Sequence, residues 1–447
     1  MNEKKKLSTK ETFDLALQHL KKNNLQSAEQ LYKQILEIEP NHVESIFYLG
    51  SLSVMTGNFD RAKQLFNKTI QIDPNHAKAH NNLGNLFHKL KEQQKAISCY
   101  EKAIQINPKF ADAYSNLAIL YKNINKHEKA LQLFNQPLKL VPDMFVSANL
   151  KLHILKKHIP AWHASMINDK DRNNFYFSAL KSVIKTSSSI FEIGTGSGLL
   201  SIMAANLGAH EINTCEMNSI MANTAIKVIA DNNLSEKINV IQKKSNNIKI
   251  GEDINKQADV LVSEIFSSNL LSEDVLPSLE DAKQRLISKN AKIIPEYGSI
   301  MIALFGGDDI GKNIYTEKFE NIKLKKFNSI IPKKYMLFRE DLEINLMTNA
   351  FEAFRFDFTN NNNFPPENKK IEIETIKKGR SYGIIQWIKL GMDNGLKYEN
   401  NPANLTKATS WPKFLYVFDE PIELSIGQKV VITAKHNRDA VCFFLEK

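Results

Sequence analysis

Residues 190–208 read IFEIGTGSGLLSIMAANLG: a short apolar strand pattern, a glycine-rich turn and an apolar helical pattern. A glycine turn between a strand and a helix lets the backbone approach a ligand at the helix N-terminus. Gly194, Gly196 and Gly198 form GxGxG, whereas Leu199 stands where the dinucleotide fingerprint GxGxxG needs glycine. The stretch therefore predicts a Rossmann-like α/β domain with a nucleotide pocket at this turn, and it disfavours NAD.

The strands that follow extend this pocket. EINTCE ends in Glu216, eighteen residues after Gly198, and an acidic residue at this strand end can accept both ribose hydroxyls. With the GxGxG turn, this spacing is typical of methyltransferases that use S-adenosylmethionine, which is therefore the expected cofactor. The third strand, KINVIQ, leads to Ser245 and Asn246, which we expect beside the adenine. The structural alternative is that Glu216 is a solvated charge and GTGSG only a tight turn.

Two glutamates follow the fourth strand. The strand ADVLVSE runs into VSEIFSSNLLSEDVLP (262–277), in which Glu264 and Glu273 stand nine residues apart around an apolar middle. Carboxylates are costly to bury unless they meet a cation. Ligands of open α/β sheets bind at the carboxyl ends of the strands, so we expect the pair to await a cation there. The alternative is an acidic loop that caps the next helix.

This pattern resembles the double-glutamate loop of the protein arginine methyltransferases. MINDKDRNNFY (166–176) is also close to a motif of that family, and the resemblance implies that Arg172 holds the methionine carboxylate of the cofactor. It implies that Glu264 and Glu273 are catalytic and that Met166 contacts the substrate. His163 could orient a glutamate or accept a proton, and it could equally be structural.

Paired carboxylates suit arginine chemically. A guanidinium is planar, permanently charged and carries five donors in a fork. Two carboxylates can take four of these donors and leave one nitrogen aimed at the methyl group. Orientation of this kind can supply about 7–11 kcal/mol of the barrier. Lysine could not be held in the same way, and the chemistry needs no metal.

The last third alternates in short apolar stretches and predicts an antiparallel β-barrel. The arginine methyltransferases carry such a barrel, and TSWPKFLYVF (409–418) matches a barrel loop that the family usually writes Thr-His-Trp. The resemblance therefore implies substrate contacts from Ser410 and Trp411. Ser410 replaces the usual histidine, which leaves open whether the product is monomethyl, symmetric or asymmetric dimethyl arginine.

The first third repeats every 34 residues, as Pro40, Pro74, Pro108 and Pro142 show. The pattern resembles the tetratricopeptide repeat, and the arginine methyltransferases include a branch with such repeats in front of the catalytic region. We expect four units of paired helices and a concave face that binds a protein or peptide; a scaffold or self-association role is the alternative. Pro137, inside the last unit, is expected to kink its second helix or end it early.

These observations predict a multidomain chain with four regions. The repeats span 7–142, a capping helix and linker 143–160, a domain for S-adenosylmethionine 161–295, and a β-barrel substrate domain 296–447. One catalytic unit predicts a homodimer, since family members with one unit usually pair.

Composition narrows the remaining possibilities. Three cysteines without CxxC and an N-terminus without an apolar segment favour a reducing compartment, the cytoplasm or nucleus, and no membrane. The net charge of +10 is spread along the chain, so we do not expect nucleic-acid binding. Two other functions stay open: a repeat scaffold with an inactive methyltransferase-like domain, and a methyltransferase acting on a substrate other than protein arginine. The sequence does not identify the substrate protein.

Overall fold

A computed structural model describes residues 7–141, 144–159, 162–337, 344–403 and 411–446 of the chain. The chain divides into two compact units, Met1–His158 and Ile159–Lys447. Among the described residues, no helix combines the length and the apolar character that crossing a membrane requires.

The first unit consists of helices in antiparallel pairs. Small residues let the two helices of a pair approach closely: a Cβ on Gly50 would lie 2.8 Å from the Phe66 ring, and one on Gly84 would lie 2.7 Å from the Tyr100 ring. The aromatic rings fill these two seams. The helices are α1 (Thr9–Lys21), α2 (Leu25–Ile38), α3 (Val43–Met55), α4 (Phe59–Ile72), α5 (Ala77–Lys89), α6 (Gln93–Ile106), α7 (Ala111–Asn123), α8 (His127–Leu140) and α9 (Phe145–His158).

Pro137 does not end α8 early. The helix continues for three residues beyond it, to Leu140, and Pro137 itself is buried. Pro137 has no N–H to donate to the carbonyl four residues earlier, so α8 loses one hydrogen bond without ending there, and a kink at this point stays a prediction.

The second unit begins with a parallel sheet of five strands in the order β3-β2-β1-β4-β5. Strand β1 is buried along its whole length and pairs with both β2 and β4. The strand order reverses between β1 and β4, and open α/β sheets bind ligands at such a point. The elements are α10 (Trp162–Asn168), α11 (Lys170–Val183), β1 (Ser189–Ile193), α12 (Leu199–Asn206), β2 (Glu211–Cys215), α13 (Ser219–Asp231), β3 (Ile238–Ile241), β4 (Ala258–Ser263), α14 (Val275–Arg285) and β5 (Ile287–Ile294), with a 3₁₀ turn at Ser245–Asn247.

Antiparallel sheets follow, one of seven strands and one of three, with a separate two-stranded hairpin. Their inner faces join the core of the parallel sheet through apolar residues such as Phe354, Phe358 and Tyr398. Closure of these sheets into a barrel stays a prediction. The elements are β6 (Tyr297–Gly306), α15 (Asp308–Ile314), β7 (Lys318–Phe319), β8 (Ile322–Lys323), β9 (Lys334–Leu337), β10 (Asn345–Leu346), β11 (Phe351–Asp357), β12 (Glu367–Glu374), β13 (Gly379–Gly391), β14 (Lys397–Glu399), β15 (Lys413–Leu424), β16 (Lys429–His436) and β17 (Val441–Leu445), with a 3₁₀ turn at Lys325–Ser329.

Candidate cofactor and substrate site

The glycine turn lies between strand β1 and helix α12, as the sequence predicts. Gly194, Gly196 and Gly198 have φ angles of +88°, +53° and +82°, in the left-handed region that favours glycine. A Cβ on Gly194 would lie 2.7 Å from Cγ2 of Ile265. A side chain at this position would therefore clash with the residue that follows Glu264, and the turn can pass this close to the glutamate loop only with glycine.

Glu216 lies just beyond β2 and faces the glycine turn. Its carboxylate accepts hydrogen bonds from the backbone N–H of Gly196 at 3.3 Å and of Asn218 at 2.8 Å. Burial raises the pKa of Glu216, although these backbone donors oppose the rise. Each carboxylate oxygen keeps a further lone pair, so the group can still accept hydroxyl donors.

Ser245 and Asn246 lie in the 3₁₀ turn after β3. Ser245 is buried, and its hydroxyl donates to Oδ1 of Asn246 at 3.5 Å. The side chain of Asn246 is exposed, and its backbone carbonyl accepts from Arg285 at 3.2 Å. Their contact with an adenine stays a prediction.

Arg172 and Glu264 form a buried ion pair, with side chains 4% and 6% exposed. Nε and Nη2 of the arginine reach the two oxygens of Glu264 at 3.2 and 3.0 Å. Nη1 donates to Oδ1 of Asn173 at 2.7 Å and to the carbonyl of Met166 at 3.5 Å. The predicted cofactor residue and the first predicted catalytic residue therefore hold each other through a bidentate contact.

Helix α11 positions Arg172. Asp169 caps the helix by accepting the backbone N–H of Arg172 at 3.0 Å, and its other oxygen accepts the hydroxyl of Tyr398 at 3.0 Å. The hydroxyl of Tyr176, one turn further along, donates to the carbonyl of Ser263 at 2.9 Å. Contacts from the parallel sheet and from β14 thus fix the start of this helix.

Glu192, on β1, is a buried carboxyl beside the same turn. It accepts a hydrogen bond from the hydroxyl of Ser201 on α12, which braces the glycine turn. Its Oε1 has no hydrogen-bond partner among the described residues. Burial raises the pKa of Glu192 to about 7.

A small cavity joins these groups, and Arg172, Glu192, Gly194, Gly196 and Glu264 all line it. The Arg172 guanidinium can bind a carboxylate, and the carboxyl groups of Glu192 and Glu264 can bind cationic groups. The backbone of the glycine turn is open to a ligand because Gly194 has no Cβ. The orphaned Oε1 of Glu192 adds an unused acceptor. These residues fit S-adenosylmethionine, with Glu216 facing the turn for its ribose.

A second cavity of about 230 Å³ lies on the other side of Met166, which lines both cavities. Glu273 and Trp411 line this second cavity, but Glu264 does not. The structure therefore brings Met166, Glu273 and Trp411 together at the second cavity and places Glu264 at the first. The half-buried His163, whose pKa is lowered by burial, is not among the residues that line either cavity. Ser410 lies outside the described residues.

Glu273 stands in an unusual backbone conformation. Its φ angle is +70° and that of Asp274 is +59°. Two consecutive residues thus have left-handed backbone, which is uncommon for residues other than glycine. The side chain is exposed and makes no hydrogen bond or ion pair with any residue that the structure describes. Partial desolvation of its carboxyl group on the cavity wall and the charge of Glu216 raise the pKa of Glu273.

The antiparallel part supports the glutamate loop. Nε1 of Trp411 donates to the carbonyl of Phe266 at 2.7 Å, and Nε2 of Gln386 donates to the carbonyl of Ser268 at 3.3 Å. The hydroxyl of Tyr416 in turn donates to Gln386 at 2.8 Å. The loop carrying Glu273 is thus held by side chains more than 100 residues away in sequence.

Sequence reasoning missed Tyr398, Gln386 and Asn269. The first two act through tertiary contacts and carry no local pattern. Asn269 could have been found, because an asparagine that precedes a short turn commonly bonds the backbone two or three residues on. Its Oδ1 accepts from the backbone N–H groups of Leu271 and Ser272, and so shapes the turn before Glu273.

Comparisons with known proteins agree with this geometry. The family model described as ribosomal protein L11 methyltransferase matches residues 174–294. Tetratricopeptide-repeat models match residues 19–86, 77–110 and 99–132, which confirms the repeats.

Two relatives extend the match beyond the parallel sheet. The arginine N(omega)-methyltransferase of Streptomyces achromogenes subsp. streptozoticus is 27% identical over 297 residues, which are 66% of this chain and 81% of that protein. Protein arginine N-methyltransferase 7 of Oryza sativa subsp. indica is 27% identical over 323 residues, which are 63% of this chain and 44% of that protein. The chain is a homologue of the arginine N-methyltransferases. The match spans less than half the length of the rice relative.

Solved arginine methyltransferases share the fold of this homologue. The enzyme–prozyme complex of Trypanosoma brucei PRMT1 gives a TM-score of 0.55 at 18% identity, over 64% of this chain and 93% of that chain. Arabidopsis thaliana protein arginine methyltransferase 10 gives a TM-score of 0.51 at 16% identity, over 63% and 95%. The expected architecture, helical repeats followed by a Rossmann-like methyltransferase sheet and antiparallel sheets, is therefore confirmed.

Proposed function

We propose that this chain transfers a methyl group from S-adenosylmethionine to a guanidinium nitrogen of arginine in a protein. The observation that carries the proposal is the double-glutamate loop, whose first carboxylate is bound to Arg172 beside the glycine turn and whose second lines the neighbouring cavity. The named relatives support the same reaction.

The residues of the site have separate roles in cofactor binding and in substrate binding. Arg172, Glu216 and the glycine turn bind the cofactor, which supplies an activated methyl group on a sulfonium. Glu264 and Glu273 accept the N–H donors of the guanidinium and hold its positive charge away from the attacking nitrogen. Met166 and Trp411 line the cavity and keep water from the buried part of the site.

Two measurements test this proposal. S-adenosylhomocysteine should bind with measurable heat and raise the melting temperature of the full chain, whereas NAD should do neither. Mass spectrometry of an arginine- and glycine-rich peptide incubated with methyl-labelled S-adenosylmethionine should show a gain of label on arginine. Cofactor binding without label on any peptide would support the inactive scaffold instead.

A second substrate is favoured by one relative. The Streptomyces protein is named for arginine without reference to protein, and it covers more of its own length in the match than the rice protein does. Free L-arginine is therefore the other candidate acceptor. The same labelled assay with L-arginine in place of the peptide separates the two, since each acceptor gives a product of different mass.

The repeats supply the partner in this proposal: their concave face recruits a protein substrate or a protein partner. Deleting the residues of the first unit should lower kcat/KM for the natural protein substrate more than for a short peptide. Equal loss for both would assign the repeats to folding or self-association. The chain would work in the cytoplasm or nucleus, which fluorescence imaging of the tagged protein tests.

A homodimer completes the proposal. The segment between β6 and β10 carries exposed apolar side chains, with Phe319, Ile322, Phe327 and Ile330 between 57% and 73% exposed. Exposed apolar groups this close in sequence favour burial against a second copy. Light scattering should give twice the monomer mass, and replacing Phe319 and Ile322 by serine should reduce it to one. Full activity as a monomer would contradict the proposal.

A further inference from the structure

Asn269 lies in the loop between the two glutamates and is 8% exposed. Its Oδ1 accepts the backbone N–H of Leu271 at 3.1 Å, the backbone N–H of Ser272 at 3.0 Å, and the hydroxyls of Ser267 and Ser272 at 2.5 and 2.9 Å. Backbone N–H groups can only donate, so the atom that meets them is the amide oxygen. The orientation of the amide is thereby fixed.

The amide nitrogen of Asn269 is the part of the side chain left to face the cavity. Asn269 and Glu273 both line the cavity of about 230 Å³, and Oδ1 is committed to the turn. Nδ2 makes no hydrogen bond to any residue that the structure describes. A guanidinium offers only donors, so a substrate guanidinium cannot be the partner of this amide.

Glu273 is the carboxylate that lines the same cavity. It follows Asn269 by four residues, and the hydrogen bonds to Oδ1 close the turn between them. Neither Glu216 nor Lys244 can hold the carboxylate of Glu273. Glu216 has a charge of the same sign, and Lys244 is already paired with Asp274. A neutral donor on the cavity wall would hold the carboxylate without competing with an incoming cation.

We propose that Asn269 is a positioning residue, whose Nδ2–H donates to the carboxylate of Glu273 and turns it into the cavity when a guanidinium enters. One lone pair of Glu273 then takes the amide, and the others receive the substrate N–H groups. The inference rests on the proposed function, because it gives Glu273 a guanidinium to hold.

The decisive variant is Asn269→Asp. It keeps an oxygen for the four donors of the turn but replaces the amide N–H₂ by a second oxygen that repels Glu273. Asn437→Asp is the matched control, since Asn437 forms the same kind of turn with Asp439 and Ala440 on the exposed hairpin between β16 and β17. Asn269→Ser is the second variant, because its hydroxyl can also accept from the backbone.

The expected result is a double-mutant cycle with strong coupling. Asn269→Asp should lower kcat/KM by about 10- to 100-fold, the range for a hydrogen bond to a charged group. In a Glu273→Gln background the same change should cost less than about threefold, because the partner charge is gone. The melting temperature and the affinity for S-adenosylhomocysteine should stay at their wild-type values, and Asn437→Asp should leave kcat/KM unchanged.

Equal losses in both backgrounds would overturn the inference, since they would assign Asn269 to the shape of the loop. If Asn269→Asp fails to fold, the cycle is run with Asn269→Ser and decided on the same criterion. The cycle is also measured as binding of an arginine- and glycine-rich peptide to the protein loaded with S-adenosylhomocysteine. Coupled binding without methyl transfer by the wild type would sink the proposed function alone, whereas uncoupled binding, or none, would sink the role of Asn269.

Discussion

Glu264 follows strand β4 and has both carboxylate oxygens on Arg172, whereas Glu273 stands nine residues later on an exposed loop with left-handed backbone. The first is positioned by the parallel sheet before any substrate arrives. The second makes no hydrogen bond or ion pair with any described residue, and its exposed carboxylate lines the cavity. Two glutamates that the sequence presents as a pair therefore stand in different surroundings. In the proposed function, Glu264 links the cofactor and substrate sites, and Glu273 responds to the substrate.

The ion pair also changes an expectation drawn from the sequence. If Arg172 alone served the cofactor and the glutamates alone served the substrate, cofactor affinity would not depend on Glu264. The bidentate contact makes the two sites share a charge. A cofactor carboxylate and Glu264 then compete for the same guanidinium, and binding at one site must affect the other.

Arg172→Ala tests the fixed side of the comparison and has the largest expected effect. It leaves Glu264 buried without its cation, and breaking a buried pair costs about 3–5 kcal/mol. That cost falls on the free energy of unfolding. The cofactor carboxylate also loses its cation, so kcat/KM should fall by roughly 100-fold or more together with the affinity for S-adenosylhomocysteine. Calorimetry and steady-state methylation check both. The control is Arg380→Ala, which breaks ion pairs to Glu317 and Glu423 on the surface and should change neither.

Glu264→Gln and Glu273→Gln compare the two regions directly. Each removes a charge that a desolvated guanidinium needs, which typically costs about 2–5 kcal/mol, or roughly 30-fold to several-thousand-fold in kcat/KM. The double variant should lose less than the sum, because both groups hold one ligand.

Cofactor affinity distinguishes these two variants. Glu264→Gln should bind S-adenosylhomocysteine several-fold more tightly, because the cofactor carboxylate no longer competes for Arg172, while Glu273→Gln should bind it normally. Calorimetric titration of both variants decides the point. The same affinity in both would show that the ion pair does not link the sites.

The pH dependence should follow Glu264. Burial raises its pKa to about 7 even though Arg172 lowers it, so the carboxylate needed for substrate is lost as the pH falls below that value. We expect kcat/KM to fall about tenfold per pH unit on this acid side. Glu273→Gln should show the same fall of kcat/KM at acid pH, and Glu264→Gln should not show it. Glu192, whose pKa burial also raises to about 7, titrates in both variants, so the difference between them isolates Glu264.

The free energy of unfolding should respond to the titration of Glu264 with the opposite sign to that expected for a salt-bridged surface glutamate. The pKa of Glu264 lies above the ordinary value of 4.5, so folding favours the protonated form. Its contribution to stability is fully present below pH 4.5 and is lost as the pH rises through 7. If kcat/KM and the free energy of unfolding of Glu264→Gln changed with pH as they do in the wild type, both pH effects would belong to other groups.

Tyr398→Phe has the smallest expected effect. It removes one hydroxyl donor to Asp169, the residue that caps α11 in front of Arg172. The loss of one hydrogen bond is worth about 1 kcal/mol, or roughly fivefold in cofactor affinity. The variant should weaken cofactor binding through Arg172. It should not change the factor by which Glu273→Gln lowers kcat/KM. A larger effect on substrate affinity than on cofactor affinity would contradict this assignment.

Local patterns in the sequence determined much of this protein. The 34-residue period predicted the helix pairs, because small and aromatic residues at fixed positions meet across each seam, as Gly50 and Phe66 do. The GxGxG stretch predicted a turn between a strand and a helix, and its three glycines take up the left-handed backbone there that only glycine adopts freely. The strand that ends before Glu264 predicted its place at the carboxyl edge of the sheet.

Only the tertiary structure decided how the site residues are joined. Arg172 and Glu264 are 92 residues apart, and no period or spacing connects them. Gln386, on β13, and Trp411, just before β15, hold the glutamate loop from more than 100 residues away in sequence. Such contacts depend on how buried surfaces pack and on which polar atoms must be satisfied there, and these are long-range conditions. The sequence therefore presented two similar glutamates, and packing made them different, because it buried one against a cation and left the other on an open turn.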